Sequence, residues 1–217
     1  MTSGQQVAGQ VGGALQFDGG DYVNVGNDGS LFPMDFTMEA WAKADVLTSW
    51  HGVITNKQDA NHGANLQLGP TQNIASLVGD GSAYTYVQTT TDPNEDQWYH
   101  IVITHDSTTN LNSLYVDGQL AVTRTRGLDY STLSPDTIIG AFYSPGQSLK
   151  FTGLIDEVRI SNIVRDADWV EANYNLMFDP GSYVTFGPEQ VPEPASLGLL
   201  ALGALCLVGF RRRRRNR

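Results

Sequence analysis

The sequence predicts an all-β domain, a two-sheet antiparallel β-sandwich, followed by one C-terminal transmembrane helix. Three observations carry that expectation. Short runs rich in Val, Ile, Thr and aromatic residues recur as far as Ile160, separated by Gly, Asn and Asp turns. Only Asp166 to Tyr174 has a helical pattern, so no helices alternate with the strands as a parallel sheet would require. Last, Ala195 to Phe210 is a run of sixteen residues without a charge, ahead of an Arg cluster.

Residues 1–13 are polar and Gly/Gln-rich, with neither a basic nor an apolar region of the signal-peptide kind, and read as the remainder of an upstream region. The folded domain is expected over 14–186. Ala14 to Phe17 and Tyr22 to Val25 are short strands around the turn Asp18-Gly19-Gly20. Phe36 to Ala44 is a longer strand, with Trp41 on its polar side, where such a ring either lines a groove or, more often, packs at a sheet margin. Gly52 to Lys57, Ala64 to Leu68, Ile74 to Val78, Tyr84 to Thr89 and Trp98 to Asp106 follow. Asn112 to Val116 and Gln119 to Thr125 flank Asp117-Gly118, a two-residue turn suited to a type I′ hairpin. Thr137 to Gly140 and Phe151 to Ile160 complete the strands, and Asp166 is the expected helix N-cap.

The closing strand is the most informative. By parity Leu154, Asp156, Val158 and Ile160 share one side, and Phe151, Ile155, Glu157 and Arg159 the other, where Glu157 and Arg159 can pair. Three aliphatics mark the first side as the core face. A carboxylate there is destabilising unless something compensates it. Either a β-bulge turns Asp156 outward, or Asp156 has a partner.

Charge excludes one class of partner. The formal net charge is −10, but residues 211–217 hold six Arg, leaving 7 Lys and Arg against 23 Asp and Glu, a net of −16, in residues 1–210. Phosphate is repelled by such a body, so nucleic acid is not an expected partner. The one Cys, Cys206, lies in the apolar run, so no intrachain disulfide or Cys-based zinc site is possible.

Several motifs occur in a fixed order: ALQFDGGDYVNV, FTMEAWAKA, WYHIVITHD, the hairpin LYVDGQLAV, and GLIDEVRIS followed by a short Trp-containing helix. From Ala14 to Tyr174 the chain thereby resembles the laminin-G-like (LamG) branch of the concanavalin A-like jelly rolls. Its end, DWVEANYNLMFDPGSYVTFGPEQ, is similar to the end of LamG-like domains in longer bacterial surface proteins. The resemblance implies recognition of glycans or protein partners, with Trp50, Tyr84, Tyr86 and Tyr143 as contact aromatics able to stack on sugars. It also implies a structural calcium between the first and last strands, at the matching positions Asp18, Asp21 and Asp156, completed by carbonyl or water oxygens. The competing assignment has Asp156 accepting backbone N–H bonds, or pairing with Arg159 or Arg124, and Asp18 merely stabilising its own turn.

Beyond Phe186 the composition changes. GPEQVPEP (187–194) is Pro-rich and extended, and Ala195 to Phe210 would span about 24 Å as a helix against a bilayer core of about 30 Å, with Arg snorkelling making up part of the difference. The tail RRRRRNR (211–217), with Arg211, Arg212, Arg213, Arg214 and Arg215 adjoining the helix, would stay cytoplasmic and leave the domain outside the inner membrane. The three parts in this order are similar to a PEP-CTERM sorting signal, with Val191, Pro192, Glu193 and Pro194 as the motif. The similarity implies processing by an exosortase of a Gram-negative bacterium and a destination at the cell surface or in the exopolysaccharide matrix. A plain tail anchor is the alternative.

Catalysis finds no support. Concanavalin A-like hydrolases of the laminarinase type carry E-x-D-x-x-E on one strand, which this chain lacks. Asp156 and Glu157 are adjacent and diverge, as do Glu95 and Asp96. His100 and His105 point to opposite faces of one strand, and His51 and His62 lie in different turns. No G-x-S-x-G elbow or phosphate loop is present. The expected function is therefore a non-catalytic binding or adhesion domain. A glycoside hydrolase or lyase of the same fold and a purely structural surface module are the alternatives.

Overall fold

The computed structural model describes residues 6–57, 59, 61–70, 73–90, 92–130, 135–142, 149–183 and 187. Contacts divide the chain into two units, Met1–Tyr183 and Val184–Arg217. The second unit, with the sorting motif Val191 to Pro194, the run Ala195 to Phe210 and the Arg tail, lies outside the described residues except for Gly187. Among the described residues no helix is long and apolar enough to cross a membrane.

Thirteen strands among the described residues form two sheets, as the spacing of turn signals anticipates. The seven-stranded sheet runs β1 (Gln6–Ala8), β2 (Gly13–Asp18), β13 (Thr152–Ser161), β4 (Phe36–Ala44), β9 (Trp98–Asp106), β10 (Leu111–Val116), β11 (Gln119–Thr125). The six-stranded sheet runs β3 (Val23–Gly26), β12 (Thr137–Ile139), β5 (His51–Lys57), β6 (His62–Gly69), β7 (Asn73–Asp80), β8 (Tyr84–Gln88). Each described pairing is antiparallel.

Alternation builds the core. Met38, Ala40, Ala42, Ile101, Ile103 and Leu114 face Ile54, Leu66, Leu68, Ile74, Val78 and Val87 across the sandwich, all buried. Each large aliphatic so buried contributes roughly 1.5–3 kcal/mol. The Asp117-Gly118 turn has φ of 50° and 78°, positive at both positions as a type I′ hairpin demands. His105 enters the core stacked on Phe36, its Nδ1 2.9 Å from Asn112 Oδ1. Burial pushes the His105 imidazole below its ordinary pKa.

Two expectations need correction. Residues 6–13 of the polar segment before Ala14 belong to the fold, because β1 pairs with β2 through a turn closed by the Gly9 N–H donating to Gly12 O at 3.1 Å. A three-residue edge strand is too short to leave a hydrophobic pattern. The face assignment of the closing strand also fails over its first half. Phe151 and Ile155 are in the core at 0% and 2% exposure, and only after a bulge do Val158 and Ile160 pack against it. The register slips between Asp156 and Arg159, with Glu157 at φ 48°. One extra residue exchanges the two faces, so a parity reading cannot hold across it.

The helix α1 (Ala167–Phe178) starts where expected, the Asp166 side chain accepting the Trp169 N–H at 2.8 Å. It covers the outer face of the seven-stranded sheet, where Val170 packs with Val102 and Tyr115. Trp41 is 1% exposed there, stacked on Tyr174 at 5.5 Å and against His100 at 5.2 Å. The ring therefore packs under the helix and lines no groove. Beside it Glu39, also buried, lies 3.2 Å from His100 Nε2 and accepts the Asn173 amide at 2.8 Å.

Candidate functional site

The outer face of the six-stranded sheet gathers three of the four aromatics expected to contact a ligand. On β6 the aliphatics Ala64, Leu66 and Leu68 point into the core, which leaves Asn65, Gln67 and Gly69 outward. On β7 Ala75 and Leu77 point the same way, and on β8 Tyr84, Tyr86 and Gln88 do so. The register joins these rows, with Gln67 opposite Ala75, Ala75 opposite Gln88, and Leu77 opposite Tyr86. Trp50, just before β5, stacks on Tyr86 with ring centroids 5.7 Å apart and planes 14° from parallel. Tyr84 meets Tyr86 edge-on at 5.8 Å. Tyr84 and Tyr86 are 45% and 37% exposed, so the cluster presents aromatic surface to solvent.

Small residues and a braced hairpin hold this cluster. A Cβ on Gly69 would lie 2.5 Å from Trp50 Cε3, so the indole rests on bare backbone. The β7–β8 turn is built by Asp80, whose Oδ1 accepts from Ser82 N, Ser82 Oγ and Ala83 N at 3.0, 2.8 and 2.9 Å. Arg126 bonds the other carboxylate oxygen at 2.7 Å and Tyr84 O at 3.4 Å. The turn's N–H and hydroxyl donors, led by the Ala83 N–H and joined by the Arg126 charge, hold the Asp80 carboxyl far below the usual carboxylate range. Partial burial and the neighbouring Tyr84 push the Tyr86 phenol up.

The same sheet face carries a buried polar row that the sequence reading missed. Asn65 Oδ1 accepts the Leu77 N–H at 2.7 Å, and its amide donates to Gln67 Oε1 at 3.2 Å. Gln67 is 1% exposed and its Nε2 has no hydrogen-bond partner. The signal available was the alternation ANLQLG, which puts two amides on the face opposite the core. Nothing in it reveals that this outer face is covered. Tyr143, the fourth expected aromatic, lies outside the described residues.

The three carboxylates expected to share a calcium are not brought to one point. Asp18 pairs with Thr152, and Asp156 lies four residues further along β13, a separation of about 13 Å at the usual strand rise. Asp18 Oδ1 accepts the Gly20 N–H at 2.7 Å within its own turn. Asp156 is on the outer side of its strand, level with Trp41, its Oδ2 accepting from Val11 N at 2.9 Å and its Oδ1 from Glu157 N at 2.8 Å. The bulge and the partner, posed as alternatives, are both present. Asp18, Asp21 and Asp156 therefore do not fit one ion that needs six to eight oxygens at about 2.3–2.6 Å. Among the described residues no group of three or more His, Cys, Asp or Glu is placed to hold a metal. Arg159 pairs with Glu157, as same-face neighbours were expected to.

Comparison with solved structures finds this fold in carbohydrate-binding proteins. Domain 4 of AbnA, an extracellular arabinanase from Geobacillus stearothermophilus solved with arabinotriose, superposes with a TM-score of 0.66 at 21% identity, over 76% of this chain and 78% of that one. A putative carbohydrate binding protein from Bacteroides ovatus gives 0.59 at 22% identity, over 73% of this chain and 45% of its own length. The CBM40 module of a Ruminococcus gnavus sialidase, bound to sialyllactose, gives 0.60 at 13%, over 74% and 95%. At these identities the likeness shows the fold alone. A search of curated proteins found no match. Residues 190–215 match the PEP-CTERM protein-sorting motif, which marks an exported protein sorted to the cell envelope. Residues 17–171, most of the chain, match the family whose order of strands and motifs is seen here, and the protein belongs to the concanavalin A-like lectin/glucanases superfamily.

Proposed function

We propose that this protein is a non-catalytic carbohydrate-binding domain displayed at the cell surface or in the exopolysaccharide matrix, and that the Trp50–Tyr86–Tyr84 cluster is its sugar platform. The observation that carries this reading is the convergence of those three rings on one partly exposed sheet face. Aromatic faces stack on the apolar faces of sugar rings, and β8 holds Tyr84 and Tyr86 ready for such contact. Carbohydrate-binding modules among the structural neighbours support the same class of ligand. The buried acids argue against hydrolysis, since Glu39 lies beneath α1 and Asp156 is tied to the 9–12 turn.

Export and sorting complete the proposal. An exosortase would cleave near Val191 to Pro194, after Ala195 to Phe210 has held the precursor in the inner membrane with its Arg tail inside.

The test is a glycan array probed with the detergent-solubilised full chain, as wild type, Trp50→Ala and Tyr86→Ala. Loss of one stacking ring is expected to weaken binding by about tenfold or more. Array binding unchanged in both variants would move the site elsewhere.

A further inference from the structure

A buried donor without a partner forfeits its hydration with nothing in return, and Nε2 of Gln67, a residue 1% exposed, is such a donor. Its place in the fold gives the missing partner a chemistry. Gln67 shares its strand face with Gly69, on which the Trp50 ring rests, and lies opposite Ala75, the smallest side chain between Trp50 and Tyr86 in the register. Gln67, Ala75 and Leu77 are 1%, 0% and 2% exposed although they point away from the core. Trp50 lies over Gly69, two residues along the same strand face, and stacks on Tyr86, which is paired with Leu77. Gln67 Oε1 is occupied by the Asn65 amide, so the side chain is pinned with its NH₂ group as the free end.

We propose that Trp50 is a movable lid and that Gln67 is the specificity-determining residue beneath it, donating from Nε2 to a hydroxyl or ring oxygen of a neutral saccharide. This rests on the sugar-platform reading and adds to it a polar subsite and a ligand class. Trp50 ends the β4–β5 connection and belongs to no strand, and Gly69 offers it no side chain to lock against. Displacing the indole exposes the amide, and an incoming hydroxyl satisfies it. The subsite suits a neutral acceptor because a lone amide donor cannot neutralise a buried carboxylate. Arg126, which reaches the Tyr84 carbonyl, is already paired with Asp80. A site that hydrogen-bonds a substrate hydroxyl rejects analogues lacking it far better than an apolar site does.

The experiment titrates the detergent-solubilised full chain with neutral arabino-, gluco-, xylo- and galacto-oligosaccharides and with anionic sialyllactose, following heat and Trp fluorescence. The proteins are wild type, Gln67→Met, Trp50→Phe and Trp50→Ala. Gln67→Met keeps the volume, removes the unpaired Nε2 and leaves the Asn65 amide unpaired instead. Its melting temperature is therefore expected to stay close to that of wild type while affinity for the neutral ligand falls about tenfold. Trp50→Phe is expected to abolish most of the fluorescence change on binding. Wild-type affinity in Gln67→Met together with lost binding in Trp50→Ala would leave the platform standing and overturn the subsite. A parallel fall of melting temperature and affinity in Gln67→Met would make the residue merely structural. Preference for sialyllactose would overturn the neutral class, and no binding by wild type to any of these ligands would overturn platform and subsite together.

Discussion

Asp156 on the last strand accepts the Val11 N–H at 2.9 Å, closing a contact between residues 145 apart in the chain. The bond depends on a bulge that turns the carboxylate out of the core and on a glycine turn that brings the chain's start beneath it. A Cβ on Gly9 would run into the Asp156 carboxylate and lie 2.8 Å from Ala14 N. The first turn and the last strand are thus fitted to one another.

Gly9→Ala and Asp156→Ala are each expected to destabilise the domain. The first overpacks the turn by about 1–3 kcal/mol. The second leaves two N–H groups without acceptors, about 2–4 kcal/mol. In the double variant the clash with the carboxylate is gone and only that with Ala14 N remains, so the effects add to less than their sum. Thermal unfolding in EDTA and again in millimolar calcium checks both points. The loss in Asp156→Ala is expected to be the same in the two buffers, and a loss confined to calcium would make Asp156 a metal ligand.

Lys57 provides a pH prediction. It is fully buried, its Nζ donating to Gly63 O at 3.2 Å, and burial brings its pKa down from 10.5 to about 7. Between those values the unfolded chain binds the proton and the folded chain resists it, so stability rises with pH across that window. The span corresponds to something on the order of 3–5 kcal/mol. Lys57→Met is expected to be more stable than wild type at pH 7, with the gap closing toward pH 10 in denaturant titrations.

Processing is checked in the native host. Mass spectrometry of the mature protein is expected to show chain ending near Val191 to Pro194, without the Arg tail. Membrane-bound protein that retains Arg217 would leave only the tail-anchor alternative.

Hydrolysis is checked on β-glucans, alginate and xylan. The full chain is expected to turn over none of them. Turnover abolished by replacing one acidic residue, Glu39 or Asp156 for instance, would make the protein an enzyme.

The sequence by itself determined what depends on near neighbours. Alternation in β4 and β9, the Asp117-Gly118 turn and the Asp166 cap each act within a few residues, so the two-sheet sandwich and its ordered motifs were legible. So were the pairing of Glu157 with Arg159 and the opposed faces of His100 and His105. Tertiary structure decided the rest. The bulge after Asp156 exchanged the faces of the closing strand, because one inserted residue reverses a period-two pattern without any mark in composition. The regular β2–β13 register ahead of that bulge parted Asp18 from Asp156, since pairing and not shared acidity sets their separation. Trp50, Tyr84 and Tyr86 were each visible as aromatics near turns. That two of them stack on the sheet face that also carries the buried Gln67, its Nε2 without a partner, follows from strand registers, which long-range hydrogen bonding alone specifies.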